Sequence, residues 1–442
     1  MGARKRRRRP PSEPREAHIA SLDRRGVGIT SFDGRTVEVA DALAGERVRY
    51  SEVDRYRGVG RGKLLEVVHP ADSRVGPPCR HYGVCGGCSL QHMDPAAQVD
   101  FKQGLLLADL REIGGLEPQR VLDPVVGGDL GYRRRARLGI KDVPKKGKVL
   151  VGFRERDKRF VADLQACLVL TPPAGELIEP LSELIGELSL RARIPQVELT
   201  VSDEATALVF RVLDPPTPDD RDKLVAFGRA HQVRVFLQSG GPGTVVALDG
   251  PQRLRYRIDT FDVELEFLPL DFLQINAEVN RKMIDLAVDL LEVGPESNVL
   301  DLFCGLGNFS LPLARRAKSV MGVEGDEGLV ERARANASRN ALSNLRFEVA
   351  DLYAGLDAAG AFESTYDAVL LDPPRSGAEA VVAKMSKLGA RRIVYVACSP
   401  ETLARDAGEL VRRHGYTLKA AGVLDMFPHT SHVESIALLE RT

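Results

Sequence analysis

No run in the sequence is apolar for long enough to cross a bilayer, and the first residues lack the apolar core of a secretory signal. A cytoplasmic protein with no membrane partner is therefore expected. Net charge is also missing: 62 Lys and Arg balance 62 Asp and Glu, so bulk charge names no nucleic-acid partner. Internal repeats are absent. Cysteine is scarce, six in 442 residues, yet three of them fall between positions 79 and 88. In a reducing compartment thiols clustered in this way hold metal more readily than they form disulfides. What is present, 43% hydrophobic and 28% charged residues, is the composition of a globular protein. A chain this long suggests about three domains.

Charge is uneven along the chain. Positions 4 to 9 are all Arg or Lys, and Arg133, Arg134, Arg135 and Arg137 recur in the middle. Both runs are able to sit on phosphates. The alternatives are a solubilising tail for the first and the solvated face of a strand for the second. Residues 1–14 carry no apolar period and read as a disordered basic tail. Five short β-like runs punctuated by glycine follow within residues 15–70, which suggests a small barrel of the OB sort. Residues 71–268 are taken as a central domain carrying the clustered cysteines, β-rich from about 126 to 268 with two helices there, near 176–190 and 219–231. Residues 269–442 alternate strands and helices, an α/β pattern.

The central domain opens with Cys79, Cys85 and Cys88, a C-x5-C-x2-C cluster on a glycine-rich segment that can wrap one metal centre. A fourth ligand is missing locally, and the next cysteine, Cys167, would have to be brought back by the fold; four sulfurs suit either zinc or a [4Fe-4S] cluster, with zinc slightly ahead on chemistry alone. His81 and His92 are fallback ligands. The spacing is not the C-x3-C-x2-C of radical enzymes.

In the last domain, an apolar strand breaks at Phe303, Cys304, Gly305, Leu306, Gly307 and Asn308 into a glycine turn, where backbone can approach a nucleotide-like ligand. A second strand ends at Glu324, about twenty residues on, where a carboxylate accepts hydrogen bonds from ribose hydroxyls. A third ends at Asp351, positioned to read an adenine amino group. No third phosphate-cradling glycine is present, which favours S-adenosylmethionine over a dinucleotide. A fourth strand ends in Asp372, Pro373, Pro374 and Arg375, where methyltransferases acting on planar bases hold their target. Arg375 replaces the stacking aromatic of amino-methylating enzymes, so exocyclic nitrogen is disfavoured as acceptor.

Residues 393–398 form a β-branched run ending in Cys398, and Pro400 then forces a turn into a helix. Cys398 is thus expected at the carboxyl edge of the sheet, next to a helix amino terminus able to help stabilise a thiolate. The alternative is a buried core thiol. Carbon 5 of uracil becomes nucleophilic only if a thiolate first adds to carbon 6, and the adduct must then lose its carbon 5 proton. Such chemistry needs one thiol, one base and a methyl donor. Cys398 supplies the thiol, and Glu434 is chosen as base over His429 and His432.

These motifs, together with Gln274 and residues 425–434, resemble the RNA uracil-5 methyltransferase family along nearly the whole chain. The amino-terminal segment, with Gly45, Glu46, Arg47 and Val48, resembles the RNA-binding TRAM domain. The cysteine pattern resembles the cluster-binding set of the 23S ribosomal RNA branch, with Leu168 where that branch usually has proline. The resemblance implies a class I Rossmann-like, S-adenosylmethionine-dependent domain and methylation of carbon 5 of a uridine in 23S ribosomal RNA by a monomer. It further implies that Gln274, Phe303, Asn308, Glu324, Asp351 and Asp372 line the donor site, and that Cys398 and Glu434 are nucleophile and base. Cys79, Cys85, Cys88 and Cys167 would hold a [4Fe-4S] cluster. The rival readings are a transfer-RNA uridine methyltransferase and a non-catalytic, metal-stabilised RNA-binding or ribosome assembly factor.

Overall fold

A computed structural model describes residues 12–354 and 364–441. It divides into two compact units. The first holds the described residues up to Phe101 together with Glu155–Asp157 and Pro428–His432, and the second holds Lys102–Arg154, Lys158–Phe427 and the residues from Val433 onward.

In the first unit a six-stranded sheet is built from Arg15–His18, Ser21–Leu22, Gly28–Phe32, Arg35–Ala40, Arg47–Tyr56 and Val59–His69. In space these strands run first, fifth, sixth, fourth, third, second. Alternate residues pack inward, and Ile19, Val37, Val39, Val48 and Tyr50 form one core. A side chain at Gly62 would lie 2.7 Å from the Tyr50 ring, so glycine is what lets that tyrosine fill the centre. The expected disordered tail falls outside the described residues from 1 to 11. Ser12, inside its expected span, is already bonded: its N–H donates to Glu52 O at 2.9 Å and its Oγ accepts from Glu52 N at 2.8 Å.

In the second unit the central region forms a six-stranded sheet ordered Val245–Ala247, Val233–Gln238, Thr206–Arg211, Gln196–Val201, Arg135–Val143, Lys148–Gly152. Helices Ile178–Glu187 and Pro218–Ala230 accompany it. Thr217 and Asp220 cap the latter reciprocally, a capping box that fixes where the helix starts.

The α/β part of this unit is an eight-stranded sheet. Its strands are β1 (Arg120–Val121), β2 (Asn298–Leu302), β3 (Ser319–Glu324), β4 (Leu345–Val349), β5 (Ala368–Leu371), β6 (Arg392–Ala397), β7 (Thr417–Leu424) and β8 (Glu434–Glu440), ordered β4-β3-β2-β5-β6-β8-β7-β1. Strands β4 to β6 across this order are mutually parallel, whereas β8 runs antiparallel to both β6 and β7. Helices α1 (Ala277–Leu291), α2 (Glu327–Arg339) and α3 (Pro400–His414) cover the sheet. Successive residues of one strand fall into separate cores. Val299, Val394 and Val396 pack with Met283 of α1 and Val330 of α2, while Leu300, Ile393 and Tyr395 pack with Leu403 and Ala407 of α3. Burial on both faces explains why these strands read as continuous apolar runs. The whole is an α/β fold built on a mostly parallel sheet with helices on both faces. No helix among the described residues is long and apolar enough to cross a membrane.

Candidate active site

Because β2 to β6 are parallel, their carboxyl ends share one edge, and five loops open there. The loop after β2 turns sharply. Phe303 has φ 65° and Gly307 φ 91°, and the N–H groups of Phe303 and Cys304 both donate to Val323 O, at 2.9 and 3.1 Å. Any side chain at Gly307 would lie 2.3 Å from Leu311 Cδ1, so only glycine fits that turn. The left-handed phenylalanine is a strained position of the kind that clusters at functional sites.

The neighbouring strand ends are held as firmly. Glu324 accepts from Gly305 N at 3.2 Å through one oxygen, and from Gly325 N at 2.7 Å and Asp326 N at 3.1 Å through the other. A carboxylate has about four acceptor sites, so room remains for a ligand's hydroxyls. Asp351 accepts from Tyr353 N at 2.9 Å, and the Tyr353 ring meets Phe303 edge-on at 6.1 Å. Asn308 is locked in a reciprocal amide pair with Asn280, at 3.0 and 3.1 Å, and accepts from Tyr256 Oη at 2.9 Å. Strands β6 and β8 pair Ala397 with Ser435, so Cys398 and Glu434 follow one another off the end of that ladder.

Gln274, Phe303, Asn308, Glu324, Asp351, Asp372, Cys398 and Glu434 all line one cavity of about 540 Å³. The eight residues come from distant parts of the chain, and the structure brings them together. Tyr256, Phe272, Tyr353, Arg375 and Phe427 also line it. Of these, Phe272 stands out: it is 68% exposed, an aromatic face offered to solvent at a cavity wall. Neither His429 nor His432 is among the lining residues, whereas Glu434 is. Cys304 lines the cavity too, but on the glycine loop, buried, with its thiol pushed far up by burial and by Asp301 and Glu324.

The electrostatics of the cavity correct one expectation. Burial, then Glu434 and Asp372, push the Cys398 thiol up to about 11, and Arg375 opposes them. The helix amino terminus does not prevail over burial and two acids, so the resting thiol holds its proton. Glu434, 3% exposed, is raised to about 8 by burial and then by Asp372, again against Arg375. Asp372 is raised to about 7 by burial, with a hydrogen bond from Gln274 pulling it down. Buried beside them, Asp301 is raised to about 8 by burial, against its hydrogen bond with Ser310. Acids crowded in this way favour a cationic ligand, because a nearby positive charge lowers the cost of ionising every one of them.

Two other expectations meet a different geometry. Of the central arginine run, Arg134 and Arg135 turn inward onto main-chain carbonyls rather than lying on a solvated face or reaching for phosphate. Cys79, Cys85 and Cys88 belong to the first unit and Cys167 to the second, and all four are half-buried. The first three sit on tight turns: Tyr82 N donates to Cys79 O at 3.0 Å, Cys85 N to His81 O at 2.9 Å, and Gly87 N to Cys85 Sγ at 3.4 Å. His92 is buried and bonded through Nδ1 to Tyr82 Oη at 2.6 Å, and burial pushes it down to about 4, leaving it neutral. Among the described residues, however, no three or more His, Cys, Asp or Glu side chains are grouped so as to hold a metal ion.

Residues 252–442 match the family described as tRNA (Uracil-5-)-methyltransferase. A protein of Alkalilimnicola ehrlichii named 23S rRNA (uracil(1939)-C(5))-methyltransferase RlmD is 53% identical over 440 residues, 99% of each chain. The chain belongs to the RNA uracil-5 methyltransferase family. A second family member with the same name, from Nitrosococcus oceani, is 51% identical over 99% of this chain and 98% of its own. Among solved structures, the family's Pyrococcus abyssi tRNA (uracil-54, C5)-methyltransferase, in complex with S-adenosyl-L-homocysteine, superposes with a TM-score of 0.76 at 26% identity. That match covers 96% of this chain and all of the other.

Proposed function

We propose that this chain transfers the methyl group of S-adenosylmethionine to carbon 5 of a uridine in 23S ribosomal RNA, at the position 1939 carried in its relatives' names. One observation carries the reading: a thiol, a buried carboxyl and six donor-site candidates from distant parts of the chain line the same cavity. The donor is a sulfonium, and the acid-rich cavity suits its charge. Methyl transfer removes that charge, so the product is held less firmly than the donor.

In the proposed reaction, the Cys398 thiol loses its proton to solvent, its thiolate sulfur bonds to carbon 6 of the uracil, and the ring becomes an enolate with electron density at carbon 5. Carbon 5 takes the methyl group, leaving a neutral thioether. Glu434 then removes the carbon 5 proton, the bond from carbon 6 to sulfur breaks, and the ring is restored. The raised position of Glu434 makes it a base of suitable strength near neutral pH. Arg375, the group that pulls both Cys398 and Glu434 back toward ionisation, assists both steps. Phe303 and Tyr353 supply apolar walls for the adenine, Glu324 accepts from the ribose and Asp351 from the adenine amino group, while Gln274, Asn308 and Asp372 complete the donor site.

The finer assignments follow the same reading. Residues 15–70 act as an OB-like barrel of the TRAM kind that contacts RNA, residues 71–268 as the central domain and residues 269–442 as the methyltransferase domain. Cys79, Cys85, Cys88 and Cys167 hold a [4Fe-4S] cluster. Their spacing and the N–H donated to Cys85 Sγ support this, while the absence of a preformed group of three among the described residues weighs against it. Anaerobic purification with iron and acid-labile sulfide analysis tests it, zinc alone being the contrary result. A ribosomal RNA substrate places the enzyme in the cytoplasm. The function itself is tested by incubating the protein with methyl-labelled donor and either 23S ribosomal RNA or transfer RNA, then digesting to nucleosides. Label in 5-methyluridine from 23S RNA is expected; label only in transfer RNA, or on nitrogen, contradicts the proposal.

A further inference from the structure

Residues 270–274 form a loop that sends Phe272, Leu273 and Gln274 to the cavity wall. Two arginines grip its backbone. Arg135 donates through its two terminal nitrogens to Asp271 O and, at 2.8 Å, to Leu270 O. Arg134 donates through Nε to Gln274 O at 2.8 Å, and its main-chain N donates to Ile275 O at 2.9 Å. The Arg134 guanidinium also lies over the Tyr256 ring, 4.9 Å from its centre, and Tyr256 in turn bonds Asn308. From the other side Asp271 accepts from Leu268 N at 2.7 Å and pairs with Arg332 at 2.8 Å. The loop is therefore held at both shoulders, with Phe272 at its exposed crown.

Arg134 is only 4% exposed, and its Nη2 has no hydrogen-bond partner among the described residues. Burying a guanidinium against carbonyls and a ring, without a carboxylate in contact, is expensive. A cation with a purely electrostatic task would be cheaper at the surface. What the buried position provides is a rigid planar group fixed between the Gln274 carbonyl and the Tyr256 ring.

We propose that Arg134 and Arg135 are positioning residues that hold the loop of residues 270–274 in the shape that meets the RNA-borne base, and that they act through this loop rather than on phosphate. The proposal deepens the uridine methyltransferase reading and rests on it for the identity of the base. The state of the loop itself can be read without any substrate. The chain contains no tryptophan, so Phe272→Trp installs a single tryptophan at the crown, which can be excited selectively over the nine tyrosines. In that background the emission should show one slow anisotropy decay. Adding Arg135→Lys or Arg134→Lys should introduce a fast component, because lysine lacks the planar guanidinium that Arg135 lays across two carbonyls and that Arg134 holds between Gln274 O and the Tyr256 ring.

In the otherwise native protein, Arg135→Lys should lower kcat/KM for RNA about 10- to 100-fold, as misplaced binding groups do. The slope of log Kd for RNA against log salt should stay unchanged. A phosphate contact predicts the reverse pattern: Arg135→Lys close to wild type, and Arg135→Gln with a slope shallower by about 0.7–0.9. That pattern, or an anisotropy decay identical with and without the arginine, overturns the proposal. Arg135 is partly exposed, so its lysine variant is suited to carry the test if the Arg134 variant fails to fold. A wild-type protein that leaves 23S RNA unmethylated, while the anisotropy responds as expected, refutes the functional reading and leaves the loop clamp standing.

Discussion

Replacing Glu434 with glutamine separates the chemistry of this carboxyl from its effect on stability. The group is buried and raised from 4.5 to about 8. At pH values below 4.5 it is protonated in both the folded and the unfolded chain and contributes nothing to the pH dependence of stability. As pH rises above that value the unfolded chain ionises while the folded one keeps its proton, so the folded state loses stability until pH passes about 8. At about 1.4 kcal/mol for each tenfold difference in proton affinity between the two states, the loss is on the order of 3–5 kcal/mol. Glutamine does not titrate. Urea unfolding of Glu434→Gln and wild type at several pH values should therefore show a difference that grows in favour of the variant between about pH 5 and pH 8 and then levels off. The same variant should still form the RNA adduct and accumulate it, with turnover reduced about 10²–10⁴-fold through loss of the base. Parallel stability curves across that pH range, or normal turnover by the variant, would overturn the role given to Glu434.

Turnover of the wild-type enzyme should rise with pH toward about 8 as Glu434 ionises, and bound donor should move that rise to lower pH because its positive charge favours the carboxylate; a rate profile with and without saturating donor checks both. Gly307→Ala should lower affinity for S-adenosyl-L-homocysteine at least about tenfold by calorimetry, since neither the φ of 91° nor the 2.3 Å approach to Leu311 tolerates a side chain. Lys102, fully buried, donates to Asp425 at 2.6 Å and to Phe427 O at 2.9 Å, so Lys102→Met should cost about 3–5 kcal/mol in urea unfolding by stranding a buried acid. Cys304→Ser should retain adduct formation on denaturing gels, whereas Cys398→Ala should abolish it.

The site is legible in the sequence where local chain grammar fixes it. An apolar run that stops at an acid, a glycine pair or a proline marks the carboxyl end of a parallel strand, and all such ends share one edge. That is why Glu324, Asp351, Asp372 and Cys398 can be chosen one strand at a time and still meet in one cavity. Phe272 and Tyr256 give no such signal, because nothing near them in the chain points to a ligand: Phe272 lies in a loop, and Tyr256 alternates with polar neighbours as any half-buried strand residue does. The inward turn of Arg134 is invisible for a related reason. Its partner carbonyl lies 140 residues away, so composition alone leaves only a charged surface or a phosphate contact. The resting state of Cys398 differs from expectation because a helix terminus is visible in the sequence, whereas the burial and the two acids that outweigh it are supplied only by the fold.

Covalent trapping bears most directly on Cys398. The protein and S-adenosylmethionine are incubated with a 23S RNA fragment bearing 5-fluorouridine at the target position, and any cross-linked peptide is then digested and sequenced by mass spectrometry. Fluorine cannot leave as a proton, so a stable complex is expected in which the Cys398 sulfur is bonded to a methylated pyrimidine. No covalent complex, or one formed through any other residue, would contradict the proposed chemistry.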